Sequence, residues 1–233
     1  MKKLLTMTVA LLACASLSHA AEWKGNAELG FVQTGGNTDT SSLNLKGKGI
    51  YDADEWRTTA EAAALQSKDT GTTTSEKYTF SIQEDWKVFE SGYFFARYSY
   101  EQDKFGGYNS RMSETVGYGF DILKEADMTW NAEVGGGARQ SEDVSGATSS
   151  DSIVRASTVF NWKVSDTTAF SQTLSTEGSS DGGYTTKSET ALTNQVAGNL
   201  SSKISYSVAN NSKAPTGTKA SDTVLAASLV YSY

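Results

Sequence analysis

The chain is 233 residues long, with 27 Asp plus Glu against 20 Lys plus Arg, and carries a formal charge of −7. An acidic chain with no basic stripe cannot neutralise a phosphate backbone, which excludes nucleic acid as a partner. Its single histidine, His19, and single cysteine, Cys14, both stand close to the amino terminus.

That first segment reads as a leader. Met1-Lys2-Lys3 is positive, Leu4 to Ala15 is apolar, and Ser18-His19-Ala20 fits the small-x-small rule before a cleavage point. The pattern predicts a secretory signal peptide over residues 1–20, cleaved after Ala20. The apolar run is shorter than the about 20 residues of a spanning helix. A rival reading takes Leu11-Leu12-Ala13-Cys14 as a lipoprotein signal acylated at Cys14, with bulky Leu12 where that signal usually has a small residue. Cleavage after Ala20 leaves one domain, residues 21–233, of about 213 residues and a charge of about −9. With neither imidazole nor thiol, this domain cannot be a Ser–His hydrolase, a Cys–His enzyme or an ordinary zinc protein. No enzymatic activity, cofactor or metal site is expected.

Beyond the leader, apolar residues alternate at period two, and no run of about 18 apolar residues occurs. Twelve strands are predicted. The first, Trp23 to Gln33, sets Trp23, Ala27, Leu29 and Phe31 against Lys24, Asn26 and Glu28, and leads into the turn Thr34-Gly35-Gly36-Asn37-Thr38. The second, Thr40 to Tyr51, sets Leu43, Leu45 and Tyr51 against Asn44, Lys46 and Lys48. The third, Trp56 to Gln66, sets Trp56 and Ala60, Ala62 and Ala64 against Arg57, Thr59 and Glu61. A longer polar loop, Ser67 to Thr74, is expected before the fourth, where Tyr78, Phe80, Ile82 and Trp86 oppose Lys77, Gln83 and Asp85.

Strands five to eight repeat the pattern. Phe94, Ala96, Tyr98 and Tyr100 oppose Arg97 and Glu101; Met112, Val116, Tyr118 and Phe120 oppose Arg111 and Asp121; Met128, Trp130, Ala132 and Val134 oppose Glu133 and Arg139; Val154, Ala156, Phe160 and Trp162 oppose Arg155 and Lys163. The signal fades in strand nine, Thr168 to Leu174, and is weakest in strand ten, about Tyr184 to Val196. Strand eleven recovers it with Ile204, Tyr206 and Val208. In the last eleven residues Leu225, Ala227, Leu229, Tyr231 and Tyr233 share one face, which looks like the closing strand of an outer-membrane barrel read by the barrel-insertion machinery.

Two regularities organise these strands. Turns near Asp52, Glu90, Lys124, Ser165 and Asn199 are short, whereas loops near Asp69, Gly106, Ser145, Ser180 and Gly217 are expected to be longer, the asymmetry of a membrane barrel. All five tryptophans, Trp23, Trp56, Trp86, Trp130 and Trp162, fall at the short-turn ends and on the apolar face. With Tyr231 and Tyr233 they predict an interfacial girdle. The opposite face predicts a charged lumen, with Lys46, Arg57, Glu61, Arg97, Glu101, Glu133 and Arg155 as its determinants and Arg57–Glu61 and Arg97–Glu101 as candidate pairs. Twelve strands enclose a backbone radius of roughly 12 Å, in which side chains leave a narrow passage or close it. Mixed signs argue against a strong ion preference. Loop acids Asp143, Asp151, Asp181 and Asp222 are read as solvated, with divalent cations shared with lipopolysaccharide as the alternative. Gly135 to Gly137 suggest a bulge or close packing.

Several short motifs resemble one family. Trp23-Lys24-Gly25 with Glu28-Leu29-Gly30, Thr34-Gly35-Gly36-Asn37-Thr38, Tyr51 before Trp56, Asp103-Lys104-Phe105 before Arg111, Asp222-Thr223 and Tyr231-Ser232-Tyr233 together resemble the salt-induced outer-membrane protein family, a YdiY-like domain of unknown function. The resemblance covers nearly all of residues 21–233. It implies an outer-membrane location and brings no activity and no catalytic residues.

The expected architecture is all-β: a transmembrane antiparallel β-barrel of about twelve strands with both termini periplasmic, in the outer membrane of a Gram-negative bacterium. Its partners would be outer-membrane lipids, lipopolysaccharide and, during biogenesis, the insertion machinery. A narrow passive channel for ions or small polar solutes leads, with a closed structural or docking barrel as the alternative and a soluble secreted β-sandwich as the rival fold.

Overall fold

The computed structural model describes residues 21–34, 40–105, 108–214 and 220–233; the signal peptide predicted over 1–20 and the Gly-rich turn at 35–38 lie outside the described residues. Twelve antiparallel strands close on themselves in sequence order. They are β1 Glu22–Thr34, β2 Thr40–Asp52, β3 Trp56–Asp69, β4 Thr72–Phe89, β5 Gly92–Asp103, β6 Tyr108–Lys124, β7 Met128–Asp143, β8 Thr148–Lys163, β9 Thr168–Ser179, β10 Tyr184–Ala197, β11 Leu200–Asn211 and β12 Ser221–Ser232. Closure pairs every strand on both sides, which leaves no open edge and fits a backbone that must satisfy its own hydrogen bonds in lipid.

The seam is the shortest ladder. β1 and β12 are in register from Asn26↔Ser232 to Gly30↔Ser228, extended by Gly25 and Tyr233, whose N–H groups donate to each other's carbonyls at 3.1 and 3.0 Å. Following the main registers once around from any residue of β1 returns to β1 about 16 residues further on. Twelve strands with that stagger tilt by about 40–45° and enclose a backbone radius of roughly 12 Å.

The stagger sorts residues by height along the barrel axis. The five tryptophans fall within roughly 5 Å of one another in height. Each is between 40% and 69% exposed. They join a belt of rings near the chain termini: Trp56 stacks on Trp86 with centroids 5.9 Å apart, Trp23 meets Tyr51 at 4.9 Å, and Tyr231 and Tyr233 stand exposed at the same end. Tyr78, Tyr100 and Tyr184 lie roughly 20–25 Å higher, which matches the apolar band of a membrane barrel. Between the two levels the outer wall carries Leu29, Phe31, Leu45, Phe80, Ile82, Val116, Val134, Val154, Ile204, Leu225 and Leu229, all exposed. An apolar outside around a polar inside is the reverse of a soluble β-sandwich. Among the described residues no helix is present.

The connections require one correction. Ser67 to Thr74 is not a longer loop: β3 and β4 continue to a two-residue turn, Thr70-Gly71. Both turn residues have positive φ, 49° and 79°, the type I′ geometry whose twist suits a hairpin. The polar composition that suggested a loop belongs to strand ends reaching past the apolar band. Connections at the terminal end run over 53–55, 90–91, 125–127, 164–167 and 198–199; those at the opposite end run over 35–39, 70–71, 104–107, 144–147, 180–183 and 212–220. The length asymmetry therefore rests mainly on the last of these.

Close packing accounts for part of the Gly135 to Gly137 run. A side chain at Gly135 or Gly117 would collide with the ring of Phe95, which lies buried inside the barrel.

Candidate functional site

The interior is a set of ion-pair and hydrogen-bond clusters built by the inward residue of each strand. The first lies toward the terminal end. Arg57 on β3 donates from Nε to Asp85 on β4 at 2.7 Å, with Nη2 at 2.6 Å from the same oxygen. The Arg57 guanidinium also stands 5.0 Å from the Tyr93 ring centroid. Gln83 donates to Asp85 at 2.8 Å and to Glu133 on β7 at 2.7 Å. Glu133 accepts further bonds from Tyr93 Oη at 3.0 Å, Arg155 Nη1 at 2.8 Å and Ser157 Oγ at 2.9 Å. Asp85 is 1% exposed, and such a buried carboxylate persists because its charge is paired and hydrogen-bonded.

A second cluster joins β1, β2, β10 and β11: Lys203 donates to Glu28 at 3.0 Å and to Glu189 at 2.8 Å, and Lys46 donates to Glu189. The third lies toward the far mouth, where Lys77 donates to Glu101 at 2.9 Å and Asp103 at 3.2 Å, and Lys187 donates to Glu101.

Two of these pairs set the cross-section. Glu101 is on β5 and Lys187 on β10, five strands apart; Lys46 on β2 and Glu189 on β10 are four apart. An extended lysine–glutamate pair bridges on the order of 12–13 Å between Cα atoms. A round barrel would place those strands roughly 20 Å or more apart. The barrel is therefore flattened, with β10 drawn toward β2 and β5, and the bridges divide its interior into lobes. The larger is bounded by β5 to β10.

Lys46, Arg57, Glu61, Arg97, Glu101, Glu133 and Arg155 all point inward, but with partners other than those proposed from sequence. Arg57 pairs with Asp85, not Glu61, and Glu61 pairs with Lys48 at 2.9 Å. Glu101 pairs with Lys77 and Lys187, not Arg97. Arg97 makes one long bond, to Gln83 Oε1 at 3.4 Å. The physical reason is register: residues four apart along a strand lie about 13 Å from one another, whereas neighbours across a ladder lie about 5 Å apart. Sequence reasoning missed the central role of Tyr93, Asp85 and Glu189. Period-two alternation puts all three inward, but Tyr93 is aromatic and reads as belonging to the lipid face.

The mouths are open cavities. One of about 440 Å³ at the terminal end is lined by Glu22, Asp52, Asp54, Lys87 and Glu90 among others. One of about 300 Å³ at the far end is lined by Lys77, Glu101, Tyr108, Arg111, Lys187 and Asp222 among others.

Of the loop acids, Asp143, Asp151 and Asp222 lie within β7, β8 and β12. Asp181 orders its own turn, accepting from Ser179 Oγ, from the Gly183 N–H at 2.9 Å and from Lys213 Nζ at 3.3 Å. The Ser179 hydroxyl, then the Gly183 N–H and Lys213, hold its carboxyl well below the usual range. Among the described residues no group of three or more metal-ligating side chains occurs.

Comparison with known proteins agrees with this architecture. The family model described as "Protein of unknown function, DUF481" matches residues 27–233. The chain is 28% identical to "Uncharacterized protein YdiY" of Escherichia coli (strain K12) over 195 residues, covering 83% of this chain and 76% of that one. Among solved structures, the COG4313 outer membrane channel from Pseudomonas putida F1 aligns with a TM-score of 0.53 at 11% identity over 94% of this chain and 97% of that chain. The NanC porin aligns at 0.50 with 12% identity over 89% and 97%. The autotransporter NalP translocator domain from Neisseria meningitidis aligns at 0.50 with 10% identity over 94% and 90%. At these identities the likeness is one of fold.

Proposed function

We propose that this chain, which belongs to the DUF481 family, forms a narrow passive channel for ions or small polar solutes in the outer membrane of a Gram-negative bacterium. The observation that supports this most is the inner wall, where charged and hydrogen-bonding side chains run from the Arg57–Asp85 cluster to the Lys77–Glu101 cluster at the far mouth, around a few buried apolar ones such as Phe95 and Ile153. Solved barrels of the same fold include one described as an outer membrane channel and one described as a porin. In this reading residues 1–20 direct export and are removed, and both termini face the periplasm. The far-end loops then meet lipopolysaccharide. A cysteine introduced at Ser145 should react with an impermeant maleimide on intact cells; labelling only after lysis would reverse the orientation.

A second reading draws on the cross-lumen pairs. Lys187–Glu101, Lys46–Glu189 and the Gln83–Glu133–Tyr93 cluster could close the lumen, leaving a structural or docking barrel. Swelling of proteoliposomes distinguishes the two. The channel reading expects pentoses to enter and trisaccharides to be excluded. Failure of every sugar to enter, together with no ion flux, would favour the closed barrel. No catalytic role is proposed.

A further inference from the structure

Four consecutive strands each place one arginine on the inner wall of the larger lobe: Arg97 on β5, Arg111 on β6, Arg139 on β7 and Arg155 on β8. Their registers set them on a stair. Arg111 and Arg139 stand nearest the far mouth, Arg155 lies below, and Arg97 is lowest, a descent of roughly 12 Å.

Arginines inside barrels usually meet carboxylates, and here three do not. Among the described residues only Arg155 has a carboxylate oxygen within 4.0 Å, from Glu133 and at the limit from Glu177. Among the described residues Arg97 has only its long bond to a glutamine. Arg111 lies over the Tyr108 ring, 3.5 Å from its centroid. Its register partner Glu101 is taken by Lys77 and Lys187. Arg139 is 8% exposed and makes no side-chain bond to any described residue, although Asp151 is its register partner. The Nε atoms of both Arg111 and Arg139 are buried without a hydrogen-bond partner. A buried charged donor left unmatched is costly, so each Nε marks a place for a ligand's acceptor oxygen. Of the other acids of this lobe, Glu133 has four donors, Asp103 is held by Lys77, and Glu177 on β9 reaches Arg155 at 4.0 Å.

Resting on the channel reading, we propose that this arginine stair is the solute site, and that its solute is a small anion bearing a carboxylate, phosphate or sulfate group. The chemistry follows from the side chain. A guanidinium presents donors in a planar fork that matches two oxygens of an oxyanion, and it stays charged at any physiological pH. An anion entering the 300 Å³ vestibule first meets Arg111, because Lys77 and Lys187 beside it are already paired with Glu101 and Asp103. Arg139, Arg155 and Arg97 then form the descending series along which it would be handed on. Lys46, Lys48 and Lys203 on the other walls are already neutralised by Glu189, Glu61 and Glu28. The attraction is therefore concentrated on one wall.

The test is the reversal potential of the refolded protein in a planar bilayer under a tenfold KCl gradient, with folding verified by heat-dependent gel mobility. The expected result is a potential on the chloride side, reduced severalfold in anion-to-cation permeability in Arg139→Gln and in Arg111→Gln and retained in Arg139→Lys. Glucuronate should block the current where glucose does not. A cation-preferring wild type, or selectivity unmoved by both glutamine variants, overturns the stair while leaving the channel standing. A folded protein that conducts nothing is examined by calorimetric titration with inorganic phosphate. Saturable binding lost in Arg139→Gln keeps the anion site and removes the channel; absence of binding removes both.

Discussion

Asp85 and Lys187 both take part in lumen ion pairs, and their surroundings give the two pairs different weights. Asp85 is sealed between Arg57 and Gln83, so Asp85→Ala leaves the partly buried Arg57 guanidinium unpaired and should destabilise the barrel by about 1.5–3 kcal/mol. Lys187 is half exposed at the mouth, and its loss leaves Glu101 held by Lys77. Lys187→Ala should therefore change stability by about 1 kcal/mol or less. Urea titration of the folded, heat-modifiable band checks both; equal losses would mean that the two pairs are equally solvated. At the far-end turn, Asp181 predicts a pH effect. Its folded carboxyl is held below the ordinary value, so its contribution is complete above the unfolded pKa. That contribution is lost as pH falls through the folded pKa. The protection factor of the Gly183 amide should fall as the medium is acidified, and Asp181→Asn should flatten that response.

At the scale of the element, the hairpin between β3 and β4 carries a visible local conflict. Thr70 is β-branched yet adopts φ of 49°, a region where such residues pay a steric cost. Thr70→Asn would give Asn-Gly, the pair that type I′ turns prefer, and should stabilise the protein by about 1 kcal/mol. No gain in the urea midpoint would show that the turn is relaxed by its surroundings. Face assignment is tested by Ala96, outward on β5 roughly 10 Å above the tryptophan belt. Ala96→Arg should cost about 2–4 kcal/mol and impair insertion; normal insertion would place that face away from lipid.

The elements also show where sequence is a good guide. β1 to β8, β11 and β12 were legible because one face meets lipid and the other water, so period two is written into residue type. β9 and β10 faded because their outward faces carry Gln172, Ser188 and Thr190. Those side chains satisfy one another, with Gln172 Nε2 donating to Ser188 at 3.0 Å and Thr190 Oγ1 donating to Gln172. A polar residue whose hydrogen bonds close locally is tolerated on the outer wall and erases the alternation. The lumen followed the same rule. Which charges face inward is a property of one strand and was readable; which charges meet depends on register and flattening, which no single strand records.

For the whole molecule, shear and ion pairs act in opposition. The stagger of about 16 residues opens a lumen of roughly 12 Å backbone radius. The pairs from β10 to β2 and β5 then draw the walls together. Function turns on what remains between them. Single-channel recording of the refolded mature chain in a planar bilayer measures that residue directly, with gel mobility confirming the fold. Small discrete conductance steps that grow in Lys187→Ala are predicted, since that variant removes the bridge across the far mouth. A folded and inserted protein that stays silent in both forms would contradict the channel and leave a sealed barrel.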